Sequence, residues 1–243
     1  MSVAELFTAE ELATIKHVYS FSNSNIVSST TFAYDFFERL KKNKRATEYF
    51  KREFSGKRII ELGPGFFGCG VGYNAKNFQE LGVAEYIAVE PLLAGEVRFE
   101  EKFDIPVTIV AVDALSYLYE QPDESAIVFS GAVFREDAML DVGLPVELQV
   151  KYLEHVCRNI ARITPAGSIG LHVGHFFACH EQFGSLGFAL EIYNGYLNAK
   201  QGGDSEEEML INELKNSIGF GGHIYRKTAK FDLAHRSPNQ REA

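Results

Sequence analysis

A doubly wound α/β domain with a mostly parallel sheet, preceded by a helical extension, is the fold class predicted by this 243-residue sequence. Three observations predict it. From about residue 57 onward, short apolar runs alternate with stretches of helical periodicity, the pattern of a parallel sheet covered on both faces. The first four of those runs end on glycine, on an acid or on Ser–Gly. Residues 1–56, by contrast, carry helical signals only, and are expected to form a cap or lid on an α/β domain spanning 57–243.

Within the extension, Thr8 and Glu11 stand three apart as a capping box, and Leu12, Ile15 and Val18 follow as an apolar stripe. The polar run Phe21–Ser29 is rich in turn formers and ends that helix. A second helix is expected from about Thr31, with Phe32, Phe36 and Leu40 at four-residue spacing. Its aromatic residues Phe32, Tyr34, Phe36 and Phe37 could close over a ligand or simply pack on the sheet's own helices.

Strands are expected at Arg58–Leu62, Tyr86–Val89, Val107–Val112, Ala126–Phe129 and Ser168–Val173, with a late alternating strand over His223–Phe231. Between the first two runs, Val71, Ala75, Phe78 and Leu81 repeat with helical spacing up to Gly82. Pro145 opens a long helix at the position proline tolerates best, and Leu153, Val156, Cys157, Ile160 and Ile163 form its buried stripe. Ser205 and Glu208 make a second capping box, and Gly219 stops that helix.

Composition narrows the function. The net charge is −9, with 20 Phe, 11 Tyr and no Trp. An acidic chain does not match a duplex or tRNA binder, whose affinity comes largely from phosphate neutralisation. The one basic cluster, Lys41, Lys42, Lys44 and Arg45, reads as a solvated helix face. A small-molecule partner is therefore expected. Three cysteines, Cys69, Cys157 and Cys179, are odd in number and widely spaced, which matches free thiols in a reducing, cytoplasmic setting. No basic segment followed by an apolar run opens the sequence, and no run is long enough to span a bilayer. Oligomeric state is not legible.

The residues that carry chemistry fall at strand ends, on one rim of the expected sheet. Glu61-Leu-Gly63-Pro-Gly65-Phe-Phe-Gly68 follows the first strand, and glycine there lets the backbone turn tightly and approach a ligand closely. Glu90 and Pro91 follow the second strand; Glu90, taken as an exposed strand-end acid, could accept both hydroxyls of a ribose. Asp113 and Ala114 follow the third, and Asp113 could accept from an exocyclic amine. Ser130 and Gly131 follow the fourth.

Acid–x–Gly–x–Gly after one strand, then an acid after each of the next two, resembles the class I S-adenosylmethionine-dependent methyltransferases. The segment Thr164-Pro-Ala-Gly-Ser-Ile169 is similar to the family's approach to its fifth strand. The likeness covers roughly residues 57–175 and implies a Rossmann-like methyltransferase fold, with S-adenosylmethionine as cofactor. It places Glu61, Gly63 and Gly65 beside the methionine part, with Gly68 in the same cofactor-binding loop, and Glu90 at the ribose. Pro91 then lies against the adenine, Asp113 and Ala114 at its edge, and Ser130 near the methionine amine.

The same glycines spell Gly63-x-Gly65-x-x-Gly68, the dinucleotide fingerprint of NAD(P)-dependent oxidoreductases. Glu61 argues against that alternative, because a carboxylate there would face a pyrophosphate. Asp113 would also have no task. A third alternative is a protein that binds S-adenosylmethionine without turnover. On the acceptor side, His175, just past the fifth strand, is the candidate proton acceptor, whereas His172, within the strand, reads as a hydrogen-bonded core histidine. His172, His175, Cys179 and His180 lack an established zinc spacing, so no metal is expected.

Overall fold

The computed structural model describes residues 3–21, 26–64, 68–91, 102–131, 144–173, 180–194 and 205–228. Seven strands form one sheet: β1 (Arg58–Leu62), β2 (Glu85–Val89), β3 (Val107–Val110), β4 (Ile127–Gly131), β5 (Ile169–Val173), β6 (Phe188–Tyr193) and β7 (His223–Lys227). Their spatial order is β3-β2-β1-β4-β5-β7-β6. The first five run parallel, and β7 is antiparallel to both β5 and β6. Successive strands step outward from β1 to β3, and the chain then returns to place β4 on the other side of β1. That reversal makes a switch point between β1 and β4, where the crevice of an open α/β sheet lies.

Helices cover both faces. On one side lie α6 (Ala114–Glu120), α7 (Val146–Ile163) and the short α8 (His180–Ser185). Strand residues Ile60, Leu62 and Val128 meet Leu115, Leu118, Val156 and Ile160 there. On the other side lie α3 (Ile26–Leu40), α4 (Lys44–Phe54), α5 (Gly68–Glu80) and α9 (Glu206–Ile218). Their core is aromatic: Phe36, Phe37, Phe50, Phe54, Phe78 and Phe129 are all essentially buried and meet mostly at tilted or edge-on angles.

The extension thus does not sit on one side. α1 (Val3–Leu6) and α2 (Ala9–Phe21) put Phe7 and Ile15 into the α6–α7 core, while α3 and α4 belong to the opposite one. Phe36 and Phe37, considered as a lid, are core residues at 1% exposure; Tyr34 is half exposed and packs on Tyr73. Ion pairs fasten the extension to late elements. Arg226 on β7 bonds Glu53 of α4 and Glu191 of β6, Arg45 pairs with Glu213 of α9, and Lys151 of α7 pairs with Glu11. The basic cluster is partly consumed the same way, since Lys41 binds Glu38 and the Tyr73 hydroxyl.

Both capping boxes form: Thr8 with Glu11, and Ser205 with Glu208. Gly219 closes α9 at φ 72°, and a Cβ there would collide with the Arg39 guanidinium. No helix among the described residues is long and apolar enough to cross a membrane.

Candidate functional site

The carboxyl ends of β3, β2, β1 and β4 stand side by side in that order. They carry Asp113, Glu90, Gly63 and Ser130 respectively. The register makes this a continuous rim, because Leu62 lies opposite both Val89 and Ser130.

Gly63 leaves β1 at φ 63°, a left-handed conformation that costs an L-residue about 1–2 kcal/mol, and its N–H donates to the Val89 carbonyl at 2.8 Å. The chain thereby turns out of the sheet while staying tied to β2. Gly65 lies outside the described residues. Gly68 is the first residue of α5.

Glu61 lies deeper than a surface acid. In β1 the side chains alternate, so Ile60 and Leu62 face α6–α7 while Ile59 and Glu61 face the side of α5. The Glu61 carboxylate is wholly buried and accepts from Asn74 Nδ2 of α5 at 2.9 and 3.1 Å, and from the Tyr86 hydroxyl of β2. Burial pushes its pKa up to about 7, against the pull of Tyr86 and Asn74, and the negative charge of Glu90 adds to the rise. Neither partner is legible as a site residue from sequence. The one available sign was a polar Asn74 beside Ala75 in an otherwise apolar helical stripe.

Glu90 was expected to be exposed, but it is only 6% exposed. Its backbone N–H donates to the Val110 carbonyl, so the β2 end is tied to β3 and the acid is drawn into the rim. Pro91 follows it in a turn and is partly exposed.

Asp113 is the N-cap of α6, and Ala114 is the helix's first residue. Its Oδ1 accepts from the Ser116 N–H at 2.9 Å and its Oδ2 from the Ser116 hydroxyl at 2.6 Å. The carboxylate is thus held in one orientation at the end of β3. The sequence signal for this cap is the aspartate itself, one of the residues favoured at a helix N-cap.

Ser130 is 1% exposed, and its hydroxyl lies 2.7 Å from His172 Nδ1 on the neighbouring strand. Burial first, and His223 second, hold the His172 pKa down at about 3, so this imidazole is neutral. His172 sits opposite His223 in the β5–β7 register, and Tyr193 stacks on His223 with ring centroids 4.7 Å apart. A polar ladder therefore crosses β4, β5, β7 and β6 beneath the rim. His175, the candidate proton acceptor, and Cys179 lie outside the described residues.

No protein-family model matches the chain, and no curated protein is found similar to it. Among solved structures, the chain is similar to an S-adenosylmethionine-dependent methyltransferase from Archaeoglobus fulgidus, at 20% identity and TM-score 0.41, over 77% of this chain and 91% of that one. It is also similar to MNMC2 from Aquifex aeolicus, at 16% identity and TM-score 0.44, over 79% and 60% of the two chains. A chain from the Haloferax volcanii complex of the Trm112 methyltransferase activator with a methyltransferase gives 11% identity and TM-score 0.44, over 82% and 97%.

Proposed function

We propose that this chain is an S-adenosylmethionine-dependent methyltransferase acting on a small-molecule acceptor. One observation carries the reading: the rim beside the β1–β4 switch point is acidic at three consecutive strand ends, with Glu61, Glu90 and Asp113 on β1, β2 and β3. Glu61 and Glu90 are close enough for one charge to raise the proton affinity of the other. Such a pair suits a ligand that brings positive charge, as a sulfonium amino acid does, and opposes a dinucleotide's pyrophosphate.

The roles follow the rim. Gly63, with Gly65 and Gly68, lets the backbone pass close under the methionine part, and Glu61 supplies negative charge beneath it. Glu90 accepts from the ribose hydroxyls, Pro91 packs against the adenine, and Asp113 with Ala114 meets the adenine edge. Ser130 accepts from the methionine amine, its hydroxyl held by neutral His172. When bound, the cofactor supplies an electrophilic methyl group, so the protein's main task is to align an acceptor and exclude water. His175 takes the acceptor's proton.

Calorimetry with S-adenosylhomocysteine and with NADH, followed by mass spectrometry of an acceptor panel incubated with S-adenosylmethionine, tests the reading. Binding of S-adenosylhomocysteine without NADH, and a gain of one methyl mass on an acceptor, is the expected result. Tight NADH binding with no heat from S-adenosylhomocysteine would overturn it in favour of an oxidoreductase. Cofactor binding without turnover on any acceptor would leave a non-catalytic binding protein.

A further inference from the structure

Tyr86 of β2 is a fully buried ring of the aromatic layer under α3, α4 and α5. It stacks on Phe78 with ring centroids 5.3 Å apart, and Phe78 in turn meets Phe37, Phe54 and Phe129 edge-on. The ring is thus held by packing that does not involve its hydroxyl.

That hydroxyl reaches diagonally across the β1–β2 pair. Glu61 stands opposite Ala88, and Tyr86 lies two residues before Ala88 on the same face. The small Ala88 leaves this diagonal open, and the hydroxyl donates to Glu61 Oε2. Asn74, about two turns into α5, donates from Nδ2 to Oε1 at 2.9 Å and to Oε2 at 3.1 Å. Oε2 therefore takes two donors, its full number, whereas Oε1 takes one. The acid is oriented from β2 and from α5, the two elements that flank the glycine turn at Gly63.

We infer that Tyr86 and Asn74 are positioning residues for the cofactor: they fix the Glu61 carboxylate beneath its cationic end and leave one acceptor site on Oε1. The inference rests on the cofactor reading above, and it gives a task to two side chains that touch Glu61 rather than the ligand. Charge supports it. Burial drives Glu61 toward its protonated form, and the bonds from Tyr86 and Asn74 oppose that drive, while Glu90 adds to it. Without the two donors the buried acid would take up a proton and lose the charge that a sulfonium meets. Burial and the charge of Glu61 hold the pKa of Tyr86 well above that of an ordinary tyrosine, so it stays a donor through the neutral range. Among the described residues, Tyr86 and Glu90 of β2 are the titratable groups that act on Glu61. α5 offers the uncharged Asn74, β4 offers Phe129 opposite Glu61, and α3 packs Phe36 and Phe37 on Phe129.

The test is calorimetric affinity for S-adenosylmethionine, whose sulfonium charge does not titrate, from about pH 6 to 8.5. In the wild-type protein, affinity is expected to rise with pH through about 7, where Glu61 ionises. Tyr86→Phe keeps the ring in its stack and removes only the hydroxyl. Its rise is expected about one pH unit higher, so affinity near pH 7 falls several-fold and recovers toward pH 8.5. Asn74→Ala is expected to move the midpoint in the same direction. In a Glu61→Gln background neither change is expected to alter the pH profile. A uniform loss of affinity with an unmoved midpoint in both folded variants would overturn the inference, as would a wild-type affinity that is flat across the range. Either result leaves the cofactor reading standing. An absence of S-adenosylmethionine binding by the wild-type protein at every pH would overturn both.

Discussion

Glu61 gives the sharpest quantitative test, because its burial makes an ordinary carboxylate behave unusually. In the folded protein it holds a proton up to about pH 7, against 4.5 for an ordinary glutamate. The folded state therefore binds this proton more tightly than the unfolded chain does. Glu61's contribution is thus fully present below about pH 4.5 and is lost as pH rises through about 7. The gap between the two values corresponds to about 3 kcal/mol, and with no solvent at the carboxylate there is no screening to reduce it.

Glu61→Gln removes the titration while keeping size and shape. Its amide cannot satisfy both Asn74 and Tyr86 as the acid does, so the variant carries a constant cost of about 1 kcal/mol or more. Urea unfolding of both proteins at a series of pH values separates that constant from the slope. The unfolding free energy of the variant, relative to wild type, is expected to rise by about 3 kcal/mol between about pH 5 and 8.5. Groups that do not interact with Glu61, His172 among them, cancel in this difference. Curves that stay parallel across the range would refute the reasoning. A ligand's positive charge near Glu61 should also draw its pKa down. Binding of S-adenosylmethionine near pH 7 is then expected to expel about half a proton, seen as a buffer-dependent calorimetric heat.

In the proposed role Glu90 accepts from both ribose hydroxyls, so Glu90→Ala is expected to lower S-adenosylhomocysteine affinity about tenfold or more by calorimetry. The same change should lower the Glu61 pKa, because Glu90's charge helps raise it; unchanged affinity would remove Glu90 from the site. For His172, whose pKa is depressed to about 3, the imidazole C–H resonances are expected not to titrate between about pH 5 and 8. Its burial as a neutral ring favours folding above about pH 6.5, and that contribution is lost as pH falls toward about 3.

Local signals in the sequence carried far. Arg58–Leu62 as β1, the helix behind Pro145, the two capping boxes and the stop at Gly219 all depend on residues within a few positions of one another. What escaped depends on distance along the chain. The partners of Glu61 lie 13 and 25 residues away, so its burial under α5 could not be read from the acid and its glycines. Strand β6 was missed because it is an edge strand whose Ala189, Leu190 and Glu191 are all exposed, with a bulge between Leu190 and Ile192. The antiparallel return of β7 is a property of pairing, not of composition. Asp113 was recognised as an acid at a strand end, yet its work as a cap appears only once Ser116 is seen to bond both oxygens.

The two halves of the extension differ in what holds them, and this sets how each opens. α3 and α4 contribute a full aromatic layer, and α4 is tied to β7 and α9 through Glu53–Arg226 and Arg45–Glu213. Displacing them would expose much of one core. α1–α2 are held by far less: the burial of Phe7 and Ile15, some flanking contacts and the half-exposed Glu11–Lys151 pair. Freeing two such apolar side chains costs about 3–6 kcal/mol, and an exposed ion pair adds at most about 1 kcal/mol. That corresponds to an open population of about one in a hundred to one in a hundred thousand. Amide exchange separates the two halves: α1–α2 are expected to exchange through this local opening, well before global unfolding, whereas α3 and α4 open only with the aromatic core they form. Equal protection of the two halves would mean that contacts beyond Phe7, Ile15 and the Glu11–Lys151 pair hold α1–α2 in place.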